Sequence, residues 1–94
     1  MARYQIVRWK QIPSLVEAWD DGETVHRPLS PRFHDLIDAV AMREGAADEA
    51  AYLEGWARDP EIERPGAAAA VADAVTAELE VTFPRYVELY LPGR

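Results

Sequence analysis

An α+β fold, with an antiparallel sheet of three or four strands packed on three helices, is the architecture that three features of this sequence predict. The first 29 residues alternate apolar and polar side chains and are rich in β-branched and aromatic types. At Ser30 and Pro31 the apolar period then changes from two to about 3.6 residues. From there to Phe83 the large apolar side chains keep helical spacing, and strands followed by helices segregate into such a fold. A length of 94 residues with 49% apolar content suits a single domain, 1–94, with one modest core.

Residues 4–10 form the first strand, and Pro13 then removes a backbone donor, so the chain turns there or lies at an edge. Alternation sets Val7 and Trp9 on one side, predicting a buried Trp9 beside Val7 with Arg8 and Lys10 reaching solvent. Residues 14–20 form the second strand. Asp20, Asp21, Gly22 and Glu23 make a turn, because Asp and Gly tolerate positive φ. Residues 24–29 return as the third strand. Ser30 is placed to cap a helix over 31–44 with Pro31 at its first position, and Phe33, Leu36, Ile37, Val40 and Ala41 form its apolar stripe. Gly45 stops it.

Asp48 is expected to cap a short second helix carrying Tyr52, Leu53 and Trp56, ending before Asp59 and Pro60. Residues 59–66 read as a polar connection, and a third helix runs over about 66–83 with Ala68, Val71, Val75, Leu79 and Phe83 inward. Pro84 is expected to end it. Residues 86–91 alternate Tyr86, Glu88 and Tyr90 with Val87, Leu89 and Leu91, the pattern of a strand. An unpaired strand of this kind invites aggregation, so the tail over 85–94 is expected to pair beside residues 4–9 or to join two copies in a homodimer.

The charge is uneven: net +1 over residues 1–34, −9 over 35–84 and +1 over 85–94, for a total of −7. So acidic a helical half repels phosphate backbones, which argues against nucleic acid as a partner. Without cysteine, disulfides, thiolate metal sites and cysteine nucleophiles are excluded, and no apolar run approaches the roughly 20 residues of a membrane span. A cytoplasmic protein is expected.

Candidate chemistry is sparse. His26 and His34 stand eight residues apart without a third ligand pattern, so hydrogen-bonded structural histidines are expected and no metal site. Asp35 and Asp38 share a helix face near a positive N-terminus, which favours carboxylates without any catalytic role. No serine or threonine has a nucleophile context, no glycine-rich phosphate loop is present, and neither catalytic residues nor a cofactor are assigned.

Two sets of side chains are candidates for binding. Arg27 and Arg32 flank the helix start at Ser30, where free N–H groups favour an anion, and Arg8 and Lys10 are placed to join them with Trp9 as a stacking surface. The competing expectation is that Arg27 and Arg32 pair with carboxylates such as Glu17, Asp35 or Glu44 inside the domain. Met42 lies opposite Phe33 on its helix, where the core does not require it, and forms with Tyr52 and Trp56 a candidate protein contact. For the two aromatics, core packing is the alternative.

In order along the chain stand Tyr4, Trp9, Lys10, Ile12 and Pro13, then Arg27, Leu29, Arg32 and Phe33, then Ile37, Asp38, Ala41 and Met42, then Tyr52, Leu53 and Trp56. This ordered set resembles the small bacterial virulence factor domain family over roughly residues 3–83, with Lys10 where relatives commonly carry arginine. The resemblance implies no catalytic residues. It implies an accessory role, since some relatives accompany folate and corrinoid methyl-transfer proteins. The expected function is a non-enzymatic interaction protein with a protein partner, the alternative being a module that binds a small anion or phosphorylated metabolite.

Overall fold

The computed structural model describes residues 1–45 and 49–91. Three long strands open the chain: β1 (Ala2–Trp9), β2 (Ile12–Trp19) and β3 (Thr24–Pro28). They form an antiparallel meander, β2 between its neighbours, with Ile6 opposite Val16 and Ala18 opposite Val25. The Asp20 turn closes as its residues dictate: one carboxylate oxygen accepts the N–H groups of Gly22 and Glu23 at 2.8 and 2.9 Å.

Helix α1 (Pro31–Arg43) follows, burying Phe33, Leu36, Ile37, Val40 and Ala41, the expected stripe. Gly45 takes a φ of 74° just after it. The expected cap Asp48 lies outside the described residues. Helix α2 (Glu49–Glu54) is only six residues long, shorter than expected, and Trp56 leaves it for a strand. Strands β4 (Trp56–Arg58) and β5 (Ile62–Arg64) lie in the segment read as helix end and polar connection. Both pair antiparallel with β1, β4 beside Val7–Trp9 and β5 beside Ala2–Tyr4, so the sheet has five strands. The free edge of β1 supplies the cause: its N–H and C=O groups need partners, and two three-residue segments supply them.

Helix α3 (Ala68–Val81) lies against β1, β2 and β3. The tail then corrects the sequence expectation, for Phe83–Tyr90 is a helix, α4, and not a strand. Pro84 sits in its first turn, where a missing N–H costs nothing, so it starts this helix after α3 has ended at Val81. The β1 edge on which the tail was to pair is already occupied by β4 and β5. With residues 86–90 helical, the described residues hold no C-terminal strand to donate to a second copy.

The core has two clusters. One joins Ala2, Ile6, Val16, Ala18 and Val25 of the sheet to Ala68, Val71, Ala72 and Val75 of α3. The other surrounds Trp9 and Ile12 with Leu29, the α1 stripe and Leu91. A register irregularity between Val7 and Arg8 separates the sheet residues of the two clusters. Trp9 is buried as expected, whereas Val7 remains half-exposed.

Neither long helix caps itself. No side chain at Ser30 or Ala67 bonds to its own helix. Instead Glu80 near the end of α3 accepts the Ser30 N–H at 2.7 Å and the Ser30 hydroxyl at 2.8 Å. Asp20, from the β2–β3 turn, accepts the Ala68 N–H at 2.8 Å. Carboxylates distant in sequence thus satisfy N–H groups at two helix starts and fix α3 to the turn and to α1.

Candidate functional site: two clefts beside the last helix

Helix α4 presents two sides to the rest of the molecule. Phe83, Val87 and Leu91 recur every fourth residue and line a groove of about 390 Å³, opposite Arg32, Asp35, Leu36 and Ala39 of α1. Tyr86 stands on its other flank, in a polar cleft of about 420 Å³ with Arg8, Lys10, Gln11 and Asp59.

The structure divides the four candidate cations between two places. Arg27 and Arg32 both reach α3. The Arg27 Nε donates to Asp73 at 2.9 Å. Arg32 donates through Nη2 to the Glu80 backbone carbonyl at 2.6 Å and its carboxylate at 3.1 Å, and lies 4.4 Å from the centroid of the Phe83 ring. The anion expected at the start of α1 is therefore a carboxylate of the chain itself. Burial alone would raise the Glu80 carboxyl, but the Ser30 N–H and hydroxyl and the Arg32 guanidinium together hold it below its ordinary range.

Arg8 and Lys10 do come together, on the polar cleft. Arg8 donates through Nε to Asp59 Oδ2 at 2.7 Å and through Nη1 to the Gln11 carbonyl at 3.0 Å, and also faces the Tyr86 oxygen. Burial works to lower the Arg8 pKa; these hydrogen bonds outweigh it and raise the value. Lys10 pairs with Glu44 and lies 5.0 Å from the Trp9 ring centroid. Tyr90 accepts the Gln11 N–H at 3.1 Å and pins the β1–β2 turn to α4.

The three partner-contact candidates also separate. Met42 is 79% exposed, on the α1 surface one turn beyond Ala39 of the groove. Tyr52 and Trp56 are half-buried around Trp9. The Tyr52 ring stacks on Trp9 at 5.9 Å and meets Trp56 edge-on at 6.0 Å, and the Tyr52 carbonyl accepts the Trp9 indole N–H at 2.7 Å. These contacts favour core packing for the two aromatics. His26 bonds to Glu17 at 2.9 Å, and His34 lies 3.9 Å from Asp38. Among the described residues no three histidine or acidic side chains converge as metal ligands, and no helix is long and apolar enough to cross a membrane.

Sequence reasoning missed Asp59, Gln11 and Tyr86, and the α4 wall of the groove. The four-residue spacing of Phe83, Val87 and Leu91 was available as a signal, but it competed with alternation over the same residues. Asp59 carries no such signal; only the pairing of β4 and β5 with β1 brings it to Arg8.

A family model described as Virulence factor matches residues 7–87. The match reaches into α4, beyond the 3–83 region of resemblance. Searches of curated proteins and of solved structures gave no match.

Proposed function

The chain belongs to the virulence factor family, and from that premise we propose that it is a non-enzymatic accessory protein of the bacterial cytoplasm that docks onto another protein. The observation that carries this reading is the α1–α4 groove, whose apolar walls of Leu36, Ala39, Phe83, Val87 and Leu91 lead toward the exposed Met42. A groove between two helices suits an amphipathic helix of the partner, with apolar side chains at three- and four-residue spacing. The charged lining of the groove is one cation and one anion, Arg32 and Asp35, so apolar contact is the main source of affinity there. The accessory role implied by the family resemblance makes folate and corrinoid methyl-transfer proteins the first partners to try.

A photo-crosslinking residue at position 39 tests the reading against purified corrinoid and methyltransferase components. Adducts are expected, and Val87→Asp is expected to abolish them while the surface change Thr24→Lys leaves them intact. Adducts that ignore the charge at position 87 would remove the groove from the interaction.

A further inference from the structure

We propose that the polar cleft on the other flank of α4 binds a small carboxylate between Arg8 and Lys10. The cleft does not depend on the docking groove, since its walls are the β1–β2 turn, the β4–β5 connection and Tyr86. Its volume of about 420 Å³ falls within the range of small-molecule sites.

Two independent features point to a ligand. The first is Arg8, whose side chain is only 22% exposed. Its bonds to Asp59 and the Gln11 carbonyl hold the guanidinium plane still and leave N–H groups for an incoming acceptor. A terminal N–H held in this way suits a carboxylate oxygen as a charge-assisted acceptor. The second is the backbone of Lys10. Trp9 pairs with Ile12, so Lys10 and Gln11 form a two-residue hairpin turn, and Lys10 has a φ of 56°. Among the described residues it is the one non-glycine with positive φ. Gly, Asn or Asp suits such a position, and a lysine there carries backbone strain. Lys10 lines the cleft, and its ammonium is held outside it by an exposed pair with Glu44 that a ligand anion in the cleft is able to replace.

The charge balance selects the ligand class. Arg8 and Lys10 are matched by Asp59 and Glu44, and the whole chain carries −7. A phosphate dianion meets Asp59 and that field at full cost, whereas a single carboxylate that takes the place of Glu44 on Lys10 leaves the cleft neutral.

The test is an NMR titration of the full chain with sodium acetate, L-glutamate and inorganic phosphate, each against sodium chloride of equal ionic strength. Saturable shifts of the Arg8 Nε–H and Gln11 amide signals are expected with acetate or glutamate, and weaker ones with phosphate. Lys10→Gly is expected to raise the thermal midpoint, by relieving the strained turn, while weakening carboxylate binding about fivefold, as loss of one exposed ion pair does. Shifts that chloride reproduces, or tighter binding of phosphate than of either carboxylate, would overturn the proposal. So would a lower midpoint for Lys10→Gly, which assigns Lys10 to the fold.

Discussion

Gly55 leaves no room for a methyl group. A Cβ built there falls 2.4 Å from the Trp9 Nε1, and Gly55 also accepts the Lys10 N–H at 2.7 Å, so neither neighbour is free to retreat. Gly55→Ala is therefore expected to cost about 1–3 kcal/mol by overpacking, measured by urea denaturation. A neutral result would mean that Trp9 moves aside easily. Trp9 itself is fully buried, and Trp9→Ala is expected to cost about 3–5 kcal/mol. The burial of Trp9 was legible in the alternation of the first strand, and the charge partners were not. Arg8 finds Asp59 and Arg32 finds Glu80 across about half the chain, and local spacing carries no information about carboxylates that only the fold brings close. The expected partners Asp35 and Glu44 show the limit: Glu44 does pair, but with Lys10, and Asp35 lines the groove.

At the scale of elements, the first three strands and α1 were legible because their periods are long enough to be unambiguous. The short strands were not, since three residues define no period and pairing alone makes Trp56–Arg58 a strand. The tail was misread because residues 86–91 satisfy both periods, and what decides is the core they meet. Phe83, Tyr86, Val87, Tyr90 and Leu91 all pack on the second cluster. Fully burying one such side chain contributes about 1.5–3 kcal/mol, so four half-buried ones and the buried Leu91 supply on the order of 5 kcal/mol or more, comparable with the whole stability of a small domain. Truncation after Thr82 is accordingly expected to leave the chain largely unfolded, with ANS fluorescence raised and near-UV circular dichroism lost. A truncated protein that melts like the full chain would show α4 to be dispensable to the core.

For the whole molecule, α3 is the member to which the other layers are tied, and carboxylates at Asp20, Asp73, Glu78 and Glu80 make four of its ties. Asp20 is held below its ordinary range first by the Ala68 N–H and then by those of Gly22 and Glu23. Glu78 is lowered by Arg64 of β5, to which it bonds at 2.7 and 3.1 Å. Glu80 is lowered by Ser30 and Arg32 against the opposing effect of burial. Each favours the ionised form when folded, so each stabilises the protein above its unfolded pKa. That contribution is lost as pH falls through the depressed folded value, where the folded state must also take up the proton. The combined variant Asp20→Asn, Glu78→Gln, Glu80→Gln is expected to melt below the parent at about pH 6, with the gap closing toward about pH 3 as the parent's own carboxylates protonate. Scanning calorimetry across that range measures the gap. If it stays constant, these side chains act through shape and neutral hydrogen bonds, and charge does not hold α3 to the turn, to β5 or to α1.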